Sequence, residues 1–192
     1  VRPPGHHAEY AKAMGFCLFN NIAIGAHYLL QKGFDRVFIV DFDAHHGNGT
    51  QKSFYEDDRV FYFSSHEYPF YPGTGSREEK GAGKGYGYTH NEPLPAGAGD
   101  KEFSQIYLET LPKIFYEYKP QFLLVSAGYD AHRDDPLTYL NLSTEGFGRI
   151  VDSLLSLAKD LSIPVLFALE GGYNLQALAQ CVSLSIERML EA

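Results

Sequence analysis

The sequence predicts an α/β fold of three layers, αβα, built on a mainly parallel sheet. Short apolar runs rich in β-branched and aromatic residues alternate with stretches of helical spacing. Polar and metal-binding residue types gather directly after those runs. The chain has 192 residues, 44% of them apolar, which suits one domain with a real core.

The elements follow in order. Residues 19–32 carry Ile22, Ala26, Leu29 and Leu30 on one helical stripe, and Gly33 ends it. Residues 36–42 (RVFIVDF) form a short apolar strand of the kind buried on both faces. A short helix is expected over 50–55 and a second strand over 60–64. Residues 66–100 hold eight glycines and four prolines and are expected to be a long functional loop. Helical spacing returns over 102–118, with Pro112 expected to kink or break it. Residues 122–127 (FLLVSA) are a third buried strand. Ser143 or Thr144 caps a helix whose Phe147, Ile150, Val151, Leu154 and Leu155 share a face. A fourth strand is expected over 164–169 and a last helix over 175–190.

Composition excludes several function classes. The net charge is −8, without the basic stripe of a nucleic-acid binder. Charged residues make up 21%, too ordinary a share for a disordered chain. Cys17 and Cys181 lie far apart and offer neither a disulfide framework nor a thiolate metal site, which fits a reducing compartment such as the cytoplasm. No apolar run approaches the roughly 20 residues that span a bilayer, and no signal-peptide pattern opens the chain. It begins Val1-Arg2-Pro3-Pro4-Gly5-His6-His7 without an initiator Met, so an N-terminal portion of the gene product is expected to precede it.

In parallel α/β sheets, ligands bind beyond the carboxyl ends of the strands. The first strand here ends in Asp41-Phe42-Asp43-Ala44-His45-His46-Gly47-Asn48-Gly49, the third in Gly128-Tyr129-Asp130, and the fourth in Glu170-Gly171-Gly172-Tyr173-Asn174. Asp43 and His45 are two apart, and on an extended segment such residues face the same way. Asp130 is the natural third ligand. Two carboxylates and one imidazole with an open fourth position suit catalytic zinc; ferrous iron suits the same ligand types. A lone Asp or His at a strand end is more often solvated or a cap, so it is the clustering that points to a metal. His27, His66, His90 and His132 are expected on the surface or in loops. The charge runs 56–58 and 77–80 are expected to be solvated turns.

These segments together resemble the histone deacetylase superfamily, which has an arginase-like α/β fold. The likeness rests on Arg2 to His7, Gly15-Phe16-Cys17, Asp41 to Gly49, Tyr71-Pro72-Gly73-Thr74-Gly75, Ser126 to Asp130, Asp135-Pro136 and Leu169 to Leu175. Gly15 to Asn21 and Leu169 to Tyr173 look more like the class II and bacterial branch. The resemblance implies a single zinc-dependent deacetylase catalytic domain over 1–192, N-terminally incomplete. The preceding part would supply sheet strands and a rim loop. A sheet edge left exposed would favour self-association into a homo-oligomer.

Residue by residue, the resemblance makes Asp43, His45 and Asp130 the zinc ligands. It makes His7 the general base for the attacking water, and His6 its partner, held by Asp41. Asn48 stands where the family has Asp or Asn to orient the second histidine. Tyr173 would donate a hydrogen bond to the substrate carbonyl. Gly15, Phe16 and Tyr71 would wall the acyl channel, with Leu137 at its rim. Structural K⁺ or Na⁺ is also implied, one site at Asp41, Asp43, His45 and Ser64 and another at Phe54, Asp57, Val60 and Tyr88. The implied activity is hydrolysis of the amide of an acyl-lysine or similar acylated amine, with neither nucleic acid nor membrane as partner. The competing expectations are an acetylpolyamine amidohydrolase, an arginase-like two-metal ureohydrolase and a non-catalytic metal-binding fragment. A neutral Leu137 favours acyl-lysine over polyamine, and a neutral Asn48 disfavours a second bridging metal.

Overall fold

The computed structural model describes residues 3–192; Val1 and Arg2, the latter opening the Arg2–His7 motif, lie outside the described residues. Five strands form one sheet: β1 (Val37–Asp41), β2 (Val60–Glu67), β3 (Thr89–Leu94), β4 (Phe122–Ala127) and β5 (Val165–Leu169). Their order is β3-β2-β1-β4-β5, and every neighbouring pair is parallel. From β1 the chain builds outward first to β2 and β3, then on the other side to β4 and β5. The topological switch therefore lies between β1 and β4, where α/β sheets open a crevice at their carboxyl ends.

Period-two alternation sends the two faces of β1 into separate cores. Val37 and Ile39 pack with Ile22, Ala26 and Leu29 of α1 (Asn21–Gln31) and Phe54 of α2 (Asn48–Phe54). Phe38 and Val40 pack on the other face with the helices α3 (Asp100–Gln105), α4 (Leu111–Tyr118), α5 (Thr144–Asp160) and α6 (Leu175–Glu191). The result is the expected αβα layering. Side-chain caps start three helices: Asn20 accepts from Ala23 N at 3.0 Å, Ser143 from Gly146 N at 2.9 Å and Asn174 from Ala177 N at 3.0 Å.

Several expectations are corrected. Residues 66–100 are not one loop: β2 runs through Glu67, a 3-10 turn covers Gly83–Gly85, and β3 adds a parallel edge strand. β3 reads THNEPL, and Pro93 within it is tolerated because an edge strand leaves some N–H positions unpaired. Pro112 does not end the helix around it. It sits in the first turn of α4, and the turn before it, Ile106–Thr110, widens to π geometry, absorbing the hydrogen bond that proline cannot donate. α2 starts at Asn48, two residues earlier than expected. His66 is fully buried and His132 nearly so, whereas His27 is exposed and His90 half-buried.

β5 forms the second edge among the described residues, and its Leu166 is 49% exposed. Phe38, by contrast, is fully buried and meets the Phe61 ring at 4.8 Å and the Phe115 ring at 5.1 Å. Phe38→Ala is therefore expected to cost about 3–5 kcal/mol, and Leu166→Thr to stay within about 0.5 kcal/mol. Urea unfolding of both variants checks this, and equal losses would contradict the two-core packing.

Candidate active site

Six residues separate β1 from α2, and they carry the densest chemistry in the chain. Asp43 N donates to Asp41 Oδ1 at 3.2 Å, and His45 N donates to Asp43 Oδ1 at 2.8 Å. Two successive carboxylate-to-backbone turns thus curl the segment. Asp43 and His45 converge, but in a bend and not on an extended strand as the spacing argument assumed. Phe42 and Ala44 turn the other way and are fully buried in the core.

Asp130, just past β4, completes the group. His45 Nδ1 lies 2.9 Å from Asp130 Oδ2 and 3.2 Å from Asp43 Oδ1. One ligand atom from each of Asp43, His45 and Asp130 falls within 4.8 Å of the others, close enough to share one ion. The donor set fits a small divalent metal with an open position. Without a metal, the two carboxylates hold a proton on the imidazole instead. Burial alone would lower the His45 pKa, but hydrogen bonds to Asp130 and Asp43 bring it up to about 10. Burial and the neighbouring Asp43 raise Asp130 to about 7.

Close backbone packing makes room for these side chains. Gly171 N donates to Asp43 Oδ2 at 2.7 Å, and a β-carbon on Gly171 would collide with carboxylate oxygens of both Asp130 and Asp43. Gly15 has φ +56°, and a β-carbon there would strike the His7 ring. The next residue, Phe16, also has a positive φ, of 63°, a strained conformation for a bulky residue.

His6 and His7 stack beside the cluster with ring centroids 4.1 Å apart. His6 Nδ1 is 3.0 Å from Asp41 Oδ2, which Tyr62 Oη also donates to at 3.0 Å. Burial pulls the His6 pKa down, but Asp43, Asp41 and Glu170 outweigh it, so His6 is held well above its ordinary value and stays protonated. His7 goes the opposite way: burial, then repulsion from His6, lower it to about 3. Its Nδ1 is 2.8 Å from Asn48 Oδ1. Asn48 Nδ2 points to Glu9 Oε1 at 3.2 Å and Met14 Sδ at 3.5 Å, which orients the amide. Asn48 Oδ1 can only accept, so the His7 proton sits on Nδ1 and Nε2 keeps its lone pair.

An aromatic rim surrounds these groups. Tyr71 lies 5.1 Å from the His7 ring and 6.2 Å from His45, and Phe70 stacks on His45 at 5.5 Å. Phe16 faces Tyr173 at 6.0 Å. Leu137 is 44% exposed, and its backbone N donates to Asp135 Oδ1 at 3.0 Å.

Some of the supporting groups were not assigned from sequence. Asp135 accepts from Tyr173 N at 2.7 Å, bracing the backbone of that tyrosine. His46 and His66 tie down the loop that presents Phe70 and Tyr71. His46 Nδ1 pairs with Thr74 Oγ1 at 2.7 Å, and His66 Nε2 donates to Gly75 O at 2.8 Å. Burial lowers both imidazoles to about 3, so they act as neutral hydrogen-bonding groups. Glu79, expected in a solvated turn, accepts from Gly75 N at 2.9 Å and from Gln51 Nε2 at 2.5 Å. The Thr74 and Gly75 partners lie within the Tyr71–Gly75 motif, but His46, 28 residues before Thr74 with β2 between them, could be matched to it only in three dimensions.

The two cation sets are placed differently. Ser64 pairs in register with Asp41 and is fully buried, beside the Asp43–His45 bend. Phe54, Asp57, Val60 and Tyr88 lie around the end of α2, where the Asp57 carboxylate is taken up by Arg59 at 2.6 Å.

Fold and site define an open parallel α/β protein whose Asp43, His45 and Asp130 could hold one divalent metal at its topological switch point. Comparison supplies the family: the histone deacetylase domain model matches residues 1–189, and the chain belongs to that family. A probable deacetylase of Archaeoglobus fulgidus is 46% identical over 187 residues, 97% of this chain and 52% of that protein. Histone deacetylase 14, chloroplastic, of Arabidopsis thaliana is 45% identical over 192 residues, 99% of this chain and 45% of that protein. The crystal structure of the HDA15 HD domain superposes with a TM-score of 0.92 at 39% identity, over 100% of this chain and 55% of that one. An acetylpolyamine aminohydrolase from Burkholderia pseudomallei gives a TM-score of 0.89 at 38% identity, over 97% of this chain and 54% of that one. The chain spans about half the length of the relatives it matches. Among the described residues no helix is long and apolar enough to cross a membrane.

If Asp43, His45 and Asp130 hold a divalent metal, Gly171→Ala is expected to weaken its binding by about 10- to 100-fold, the usual penalty for disturbing groups that orient metal ligands. Competition titration with a zinc chelator checks it, and wild-type affinity would mean that the ligands do not depend on this close approach.

Proposed function

We propose that residues 1–192 carry the catalytic domain of a zinc-dependent amidohydrolase that removes acetyl or related acyl groups from acyl-lysine or a similar acylated amine. The supporting observation is a neutral His7, its proton fixed on Nδ1 by Asn48, with its ring 6.1 Å from that of His45 in the three-residue metal cluster. Asp43, His45 and Asp130 would hold the zinc. Bound there, zinc supplies Lewis acidity, polarising an amide carbonyl and making water acidic enough to attack near neutral pH.

This chain's residues do the rest. His7 Nε2 takes the proton of the attacking water and passes one to the leaving amine. The protonated His6, pinned by Asp41, keeps positive charge beside the oxyanion that develops and disfavours early protonation of His7. The Tyr173 hydroxyl donates to that oxyanion. Gly15, Phe16 and Tyr71 line a narrow apolar approach for an acyl chain, and Asp41, Asp43, His45 and Ser64 hold a structural monovalent cation.

A second reading is an acetylpolyamine substrate, favoured by the likeness to the Burkholderia aminohydrolase. The exposed, uncharged Leu137 at the rim supports acyl-lysine instead. A panel of acetyl-lysine peptides, acetylpolyamines and longer acyl-lysines, assayed with and without chelator, separates these readings from an inactive fragment.

Tyr173→Phe is expected to lose about 10²- to 10³-fold in kcat with zinc still bound; unchanged turnover would remove Tyr173 from the mechanism. Asn48→Asp places a carboxylate beside His7, which favours the imidazolium and raises its pKa from about 3. The base works unprotonated, so the acidic limb of the pH–rate profile should move to higher pH. An unmoved limb in an active variant would refute the coupling.

A further inference from the structure

Glu170 is the residue directly after β5, and it is fully buried. Its backbone N still donates to Ala127 O at 3.0 Å, so its position is set by the β4–β5 ladder. Among the described residues it has no Lys or Arg partner. Its carboxylate instead accepts from Gly5 N at 2.6 Å and His6 N at 3.1 Å through one oxygen, and from Ser126 Oγ at 3.0 Å through the other. A buried carboxylate without a basic partner is costly unless its oxygens are well donated to, and removing this one would leave the Gly5 and His6 amides without their acceptor.

The segment it grips is the one that carries the tandem histidines. On the β1–α2 side that segment has several anchors. His6 O accepts from Gly49 N at 3.0 Å and Thr50 N at 3.1 Å, and the two imidazoles are held by Asp41 and Asn48. All of these pull toward one side of the switch point. Glu170 reaches from β5, two strands from β1 in the sheet, and holds the same backbone from the opposite side. We infer that Glu170 is a positioning residue: its hydrogen bonds to the Gly5 and His6 amides set the place of the His6–His7 backbone across the crevice, and with it the reach of His7 to the reacting water. The part about His7 rests on the amidohydrolase reading above; the anchoring does not.

The distinction between anchoring and charge is testable because Gln is isosteric. In Glu170→Gln the amide oxygen can still accept from Gly5 and His6, and the amide nitrogen can donate to Ser126 Oγ, whose hydroxyl rotates. Glu170→Ala removes every acceptor. Glu170→Asp keeps the charge but shortens the reach by one methylene.

Hydrogen–deuterium exchange of the segment 3–9 should be measured alongside kcat, KM and zinc content on an acetyl-lysine peptide, using the zinc-loaded full chain. Exchange at Gly5 and His6 is expected to quicken about 10-fold or more in Glu170→Ala. Its kcat should fall about 10- to 100-fold, as for a misplaced catalytic group, with zinc content unchanged and KM within about 3-fold. Glu170→Gln should stay near wild type in both readouts, because Asp43 and Asp41, the larger contributors, still hold the proton on His6, and Glu170→Asp should fall between. Wild-type exchange in Glu170→Ala would overturn the inference, as would quickened exchange with undiminished kcat. A Gln variant as impaired as the Ala variant would also overturn it, because charge and not anchoring would then be at work. If Glu170→Ala does not fold, Glu170→Asp decides by the same exchange criterion. If the wild-type chain turns over no acyl-lysine, the amidohydrolase reading fails, while exchange still decides the anchoring.

Discussion

Four acidic side chains buried at the carboxyl ends of β1, β4 and β5 impose the constraint from which the rest of the structure follows. Asp41, Asp43, Asp130 and Glu170 are each at most 1% exposed. A carboxylate taken out of water must be surrounded by donors. Here the donors are largely backbone amides: Asp43 N on Asp41, His45 N and Gly171 N on Asp43, Ala44 N on Asp130, and Gly5 N and His6 N on Glu170. Each bond fixes a loop. The crevice therefore owes its shape to the charge it must accommodate.

The same charge sorts the histidines. His6 lies among Asp41, Asp43 and Glu170 and keeps its proton; His7, next to it, is deprived of one by burial and by His6. Two adjacent imidazoles thus hold opposite protonation states without any difference in residue type. His46 and His66, buried against neutral partners, serve as hydrogen-bonding struts for the loop bearing Phe70 and Tyr71. Eight residues of one titratable type in this chain do at least three different jobs, and environment alone separates them.

Elements with strong local signals were legible. β1 and β4 are continuous apolar runs because both their faces are covered, and α5 announces itself with the Ser143 cap and a regular apolar stripe. β3 was not legible. Its sequence, THNEPL, has little strand propensity, and only pairing with β2, in which Pro93 sits opposite His66, makes it a strand. The burial of His66 and His132 was not legible for a related reason. Their partners, Gly75 O and Thr144 Oγ1, sit nine and twelve positions away, and no local pattern marks such pairs.

The sequence by itself determined the layering, the gathering of metal-binding residue types at the strand ends, and the residue types Asp43, His45 and Asp130 that can share an ion. These follow from periodicity and ligand chemistry, which are local. Tertiary structure alone decided how these three side chains converge. Asp43 and His45 meet through a carboxylate-curled bend, and Asp130, just past β4, joins them by accepting from Ala44 N, 86 residues earlier in the chain. It also decided that Glu170 grips a backbone 165 residues away and that His7 is the neutral member of its pair. Contacts of that range depend on strand order and burial, and the physical reason is that a buried charge is compensated by whichever groups the fold brings near it.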